Sequence, residues 1–170
     1  MILPAEASKS SADAGLPATQ EGAGASFTHA TAIVIGESGI LIRGASGSGK
    51  SRLALALLDL AARSSCFGRL IGDDRVSLEP RGGRLIVRGH PLIAGQIEQR
   101  GVGILTIPCL DSGVVRLVVD LKAEIPPRYP EPADRETLLA GVKLPLLTLR
   151  QGVASCDMAL TIWTRLYQPS

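Results

Sequence analysis

The sequence predicts an α/β domain built on a mixed sheet, and three observations lead there. Two β-rich runs, Thr31–Ile35 and Gly39–Arg43, are separated only by Gly36-Glu37-Ser38, a spacing that joins them as an antiparallel hairpin. A glycine-rich stretch then leads into Arg52–Arg63, a run of strong helix formers without Gly or Pro. Beyond Arg63, short apolar runs separated by turn residues fill most of the chain, so strands outnumber helices.

At 170 residues, with 45% hydrophobic and 20% charged side chains, the chain can bury one sizeable core. Met1–Ser26 is rich in Ala, Ser, Gly and Glu and has no sustained apolar period, so residues 1–27 read as a disordered tail. Residues 28–170 read as the folded domain. After the hairpin and first helix, Arg69–Ile71 leads into Gly72-Asp73-Asp74-Arg75. Val76–Glu79 and Arg84–Val87 flank Pro80-Arg81-Gly82-Gly83 as a second hairpin. Val102–Ile107, the valine-rich Val114–Leu121 and Leu144–Leu149 are further strands. Ile125–Pro132, with four prolines in eight residues, is a surface loop. Asp157–Leu166 reads as a closing helix capped by Ser155 or Asp157.

Composition excludes several classes of function. The first 28 residues carry Lys9 against Glu6, Asp13 and Glu21, which leaves the rest of the chain at only +4. That excess is too mild for a nucleic-acid partner, and Phe27, Phe67, Tyr129, Trp163 and Tyr167 are not spaced as a stacking platform. Cys66, Cys109 and Cys156 lie more than 40 residues apart, so no CxxC zinc or redox pair exists, and a reducing cytoplasm fits. The most apolar stretch, Leu53–Ala62, is short and contains Asp59, so no membrane span is expected.

Gly44-Ala45-Ser46-Gly47-Ser48-Gly49-Lys50-Ser51 fits the pattern G-x-x-x-x-G-K-[ST] between a strand and a helix. Convergent backbone N–H groups around phosphate oxygens need glycines at dihedrals other residues avoid, and a helix N-terminus facing the anion. The expected ligand is ATP or GTP with Mg²⁺, with Lys50 on the β- and γ-phosphates and Ser51 on the metal. The hairpin sets an antiparallel strand beside the P-loop strand, which argues against a doubly wound sheet. Asp73 and Asp74 admit two readings. One carboxylate binds the metal while the other accepts a hydroxyl proton, or both are solvated turn acids.

Taken together, His29, the P-loop, Gly72-Asp73-Asp74-Arg75-Val76 and Glu98-Gln99-Arg100-Gly101-Val102-Gly103 resemble the bacterial HPr kinase/phosphorylase family. That family's catalytic domain shows the order H…G-x-S-G-x-G-K-S…A-D-D-x-V…E-I-R-G-L-G. The resemblance covers about Thr28–Leu166 and implies a nucleotide domain similar to that of phosphoenolpyruvate carboxykinase. It implies ATP and Mg²⁺, a serine of the phosphocarrier HPr as acceptor, and a homo-oligomer, hexameric in full-length relatives. It makes His29 the active-site histidine, Lys50 the phosphate-binding lysine, Ser51 and Glu98 the Mg²⁺ ligands, and Asp73 the general base with Asp74 its neighbour. It makes Arg135, in Asp134-Arg135, the group that stabilises charge on the transferring phosphoryl.

The chain also departs from the family pattern. Arg52 replaces an acidic residue and Gln99 an isoleucine. A proline- and arginine-rich loop associated with the phosphorylase direction is reduced to Leu144–Gly152, with Arg150 retained, so the reverse reaction stays open. Two other readings also stay open, a P-loop kinase of small molecules and an ATP-binding regulatory module without turnover.

Overall fold

The computed structural model describes residues 27–167. The tail reading for Met1–Ser26 therefore lies outside the described residues, while Phe27 already pairs with Ser77 in a strand. In chain order the strands are β1 (Phe27–Thr28), β2 (Thr31–Ile35), β3 (Ser38–Gly44), β4 (Gly68–Gly72), β5 (Val76–Arg81), β6 (Arg84–Gly89), β7 (Gln96–Gln99), β8 (Gly103–Thr106), β9 (Ser112–Lys122), β10 (Glu136–Leu139) and β11 (Val142–Arg150). The helices are α1 (Lys50–Arg63) and α2 (Ser155–Tyr167), with 3-10 turns at Pro91–Ile93 and Pro132–Arg135.

The main sheet is mixed. Its path runs β1-β5-β6-β9-β3-β2-β4, and β11 also pairs with β9, carrying β10 at its outer side. β2 is antiparallel to both β3 and β4, whereas β9 is parallel to β3 and to β11. The expected hairpin before the glycine loop is thus present, with Ile33 opposite Ile40. The second hairpin is present too, and Gly82 and Gly83 form its turn at positive φ.

Strand alternation explains how the layers assemble. Ile33 and Ile35, Ile40 and Ile42, and Leu117, Val119 and Leu121 point to one face. There they pack against Leu53, Leu57 and Ala61 of α1 and Met158 and Ile162 of α2. Ala32, Val34, Leu41 and Val118 point to the other face, where the sheet curls over itself and buries them under Val76, Leu85, Val87 and Leu144. Burying a Leu such as Leu57 contributes about 1.5–3 kcal/mol, and truncating it to Ala costs about 2–5 kcal/mol. The close pairing of β3 with β9 requires glycine at position 39, where a Cβ would come within 2.2 Å of the Val114 carbonyl oxygen. Further along the same pair, Arg43 opposes Asp120 and donates to both carboxylate oxygens at 2.7 and 2.8 Å.

The closing helix starts earlier than the sequence suggests. Asp157 and Met158 both donate their backbone N–H to the Ala154 carbonyl, so Ser155 and Asp157 sit inside the first turn and do not cap it. Asp157 still complements the positive end of the helix dipole there. The proline-rich segment is a surface loop, as expected, with Ile125 and Tyr129 largely exposed. Among the described residues no helix is long and apolar enough to cross a membrane.

Candidate active site

Because β3, β4, β9 and β11 run in the same direction, their C-terminal ends share one edge of the sheet. Loops at such an edge are where parallel sheets hold ligands. β4 ends at Gly72 and delivers Asp73-Asp74, while β3 ends at Gly44 and delivers the glycine loop and α1. β11 ends at Arg150 and delivers the turn into α2. A cavity of about 500 Å³ opens at this edge.

The glycine loop forms one wall of that cavity. Gly44, Gly47 and Gly49 have φ of 152°, 76° and 100°, which L side chains rarely adopt. Ser46, Gly47, Ser48 and Gly49 line the cavity, and so do Lys50 and Ser51 in the first turn of α1. Lys50 is buried, and its Nζ donates to the Gly44 and Ala45 carbonyls at 3.3 and 3.2 Å and lies 2.9 Å from His29 Nε2. Burial lowers the pKa of Lys50 from 10.5, opposed by the nearby carboxylates of Asp74 and Asp73. Ser48 Oγ, at the centre of the loop, is buried without a partner among the described residues.

The two adjacent aspartates have different surroundings. Asp73 is only 4% exposed, and its carboxylate accepts from Thr31 Oγ1 at 2.5 Å, Ser51 Oγ at 2.9 and 3.0 Å, and the Glu98 N–H at 3.2 Å. Asp74 takes a left-handed φ of 61° at the centre of a three-residue turn closed by Arg75 N–H to the Asp73 carbonyl at 2.7 Å. The reversal turns its side chain into the cavity, half-exposed, with Oδ1 3.4 Å from His29 Nδ1. With Lys50 donating to Nε2, the histidine tautomer that fits carries its hydrogen on Nδ1, facing Asp74.

The β7–β8 hairpin supplies the opposite wall through Glu98, Gln99 and Arg100. Arg100 crosses over the glycine loop so closely that a Cβ at position 47 would lie 3.0 Å from its Nη2. Ser51 and Glu98 line the cavity with oxygen donors suited to a hard cation, and Asp73 holds the Ser51 hydroxyl from behind. Among the described residues no group of three or more His, Cys, Asp or Glu forms a protein-only cage. A cation that keeps waters and substrate phosphates as ligands, as Mg²⁺ does, fits this set.

The structure thus brings together His29, the glycine loop, Lys50, Ser51, Asp73, Asp74 and Glu98. It does not bring Arg135 with them. Arg135 donates from Nε to the Pro130 carbonyl at 3.1 Å and lines a different cavity, of about 890 Å³, with Lys122, Pro126 and Arg165. The sequence did not mark as site residues Thr31, which bonds Asp73, or Val153, Ala154 and Met158, which line the glycine-loop cavity. The only signal for Thr31 was a polar residue opening an otherwise apolar strand; in the β11–α2 turn, Gly152 and Ser155 stood out only as the end of the shortened loop and as a candidate cap.

A family model described as the HPr Serine kinase C-terminal domain matches residues 20–121, more than half of the chain. The chain belongs to this family. Among curated members, the HPr kinase/phosphorylase of Mycoplasma mycoides subsp. mycoides SC is 39% identical over 100 residues, covering 55% of this chain and 30% of that protein. The HPr kinase/phosphorylase of Brevibacillus brevis is 34% identical over 122 residues, covering 65% and 37%. The matches thus span about a third of the length of these relatives. The solved structure of the Hpr(Ser) kinase/phosphatase from Coxiella burnetii superposes with a TM-score of 0.69 at 26% identity, covering 83% of this chain and 93% of that one. The mixed α/β fold with its curled sheet is therefore that of an HPr kinase.

Proposed function

We propose that residues 28–170 form a catalytic domain that transfers the γ-phosphoryl group of ATP to a serine of the phosphocarrier protein HPr of a phosphotransferase system. The observation that carries this reading is Asp74, held in a left-handed turn at the phosphate loop, half-exposed and beside His29 and Lys50. A carboxylate in that position can accept the proton of an incoming hydroxyl. Asp73, which the family resemblance makes the base, is buried and already accepts from Thr31, Ser51 and the Glu98 N–H. We therefore assign the base to Asp74, and to Asp73 the orientation of Ser51, the proposed Mg²⁺ ligand together with Glu98.

In this reading the P-loop, Gly44–Ser51, binds the phosphates, in a nucleotide domain similar to that of phosphoenolpyruvate carboxykinase. Lys50 and Arg100 neutralise charge on the phosphoryl oxygens. When bound, Mg²⁺ supplies further neutralisation of the phosphate charge. His29 accepts from Lys50 at Nε2 and faces Asp74 with Nδ1. By microscopic reversibility Asp74 can return the proton when phosphate attacks phosphoserine, so the same groups serve a phosphorylase direction. Arg135, tied to Pro130 in a cavity of its own, takes no part in the transfer step in this reading. Cytoplasmic location and a homo-oligomer, a hexamer by resemblance, complete the proposal.

The test is the intact mass of HPr after incubation with the protein and Mg²⁺·ATP. One phosphate added to a serine by the wild type, and none by Lys50→Ala, is the expected result. Unchanged HPr in the presence of measurable ATP binding would reject HPr as the acceptor and favour a small-molecule acceptor or a module without turnover.

A further inference from the structure

The order of strands across the sheet orients any ligand lying over the glycine loop. Read laterally, the strands are β4, β2, β3, β9 and β11. The groups suited to phosphoryl chemistry lie on the β2/β4 side of the loop: His29 and Thr31 at the start of β2, Asp73 and Asp74 at the end of β4. On the other side, beyond β9, β11 runs into the turn that opens α2. Both sides border the same cavity. A nucleoside triphosphate whose terminal phosphate meets Asp74 must extend its other end away from β4.

We propose that the β11–α2 turn is the nucleoside subsite, where Val153 and Met158 pack against the base and ribose of the bound nucleotide. This rests on the nucleotide reading of the cavity and adds to it the end that the glycine loop does not touch. Val153 is 43% exposed and Met158 is buried; both border the cavity with Gly152, Ala154 and Ser155. Their side chains present apolar surface in a site otherwise dominated by charged and hydroxyl groups. The start of α2 adds backbone N–H donors of the kind left over at any helix N-terminus, suited to ribose hydroxyls. Met158 is fixed from behind by the core that α2 shares with α1, so the apolar surface is preformed.

The test compares ATP with inorganic tripolyphosphate, each with Mg²⁺, by titration calorimetry on the wild type and on Val153→Ala. Val153 is exposed enough for its truncation to spare the core, and tripolyphosphate binding reports whether the glycine loop is intact. Losing the two methyl groups should weaken ATP about fivefold and leave tripolyphosphate within about twofold. An equal loss for both ligands, or no loss for either, would overturn the subsite while leaving the nucleotide reading in place. A wild type that binds neither ligand would instead overturn the nucleotide reading, and the subsite with it.

Discussion

On the β2/β4 flank of the glycine loop, side chains from three distant stretches of chain are tied together. Thr31 and Ser51 both bond to Asp73, and His29 bridges Lys50 and Asp74. On the β9/β11 flank the larger cavity holds Lys122, Arg135 and Arg165, and among the described residues Arg135 bonds to the Pro130 carbonyl alone. The first arrangement is preorganised: the Thr31–Asp73–Ser51 bonds form a frame around the buried Asp73, and His29 stands half-exposed between Lys50 and Asp74. The second offers charge and apolar surface on a proline-rich loop without that frame. One chain edge thus carries a rigid chemical centre beside a looser charged wall.

The largest expected effect separates the two aspartates. Asp74→Asn removes a proton acceptor that few other groups depend on. Phosphoryl transfer to HPr should fall about 10²–10⁴-fold, with urea stability close to the wild type. Asp73→Asn keeps Asp74 but sets an amide against the hydroxyls of Thr31 and Ser51 and the Glu98 N–H. Its cost should appear in stability, about 1–3 kcal/mol by urea unfolding. Two variants with the same rate loss and the same stability would mean that the frame and the base are not divided between these residues.

A smaller effect tests the two walls. Arg100→Ala removes the guanidinium that crosses the glycine loop at position 47, and ATP should bind about tenfold more weakly without it. Arg135→Ala should leave the ATP Kd within about twofold, because a residue outside the cavity contributes little to binding there. If instead Arg135→Ala weakens ATP as much as Arg100→Ala, the second cavity is part of the nucleotide site and the contrast between the flanks fails.

The framed flank was also the legible one. A glycine-rich loop needs its residues at fixed spacing because backbone amides do the binding, so Gly44–Ser51 could be read directly. Hairpins with Gly turns and alternating strands were equally local, and β2–β3 and β5–β6 bear them out. The difference in surroundings between Asp73 and Asp74 could not be read. It depends on a left-handed φ at Asp74 and on Thr31, 42 residues away, reaching Asp73 across the β2–β4 pair. The place of Arg100 could not be read either, because its approach to Gly47 depends on how the β7–β8 hairpin folds over the loop. The β11–α2 turn gave no site signal beyond the shortened Leu144–Gly152 run, because the surface and backbone it presents to the cavity carry no spacing rule.

The smallest expected effect lies at the far end of α2, away from the active edge. Tyr167 OH sits 3.0 Å from Cys66 Sγ and close to Gly36 in the β2–β3 turn, tying the last turn of α2 to the opposite edge of the sheet. The bond to Cys66, and secondarily burial, pushes the Tyr167 phenol from 10.0 up to about 12. A phenol that ionises later in the fold than in the unfolded chain adds stability in full below pH 10, and that stability is lost as pH rises through about 12. In a Tyr129→Phe background, phenolate absorbance should therefore rise with a midpoint near 12, and Cys66→Ala should bring that midpoint down towards 10. An unchanged midpoint in Cys66→Ala would show that the thiol does not anchor the phenol. The preformed position of α2, on which Met158 depends, would then rest on the core contacts of Met158, Ala159 and Ile162, with Trp163 and Leu166 packed beside them.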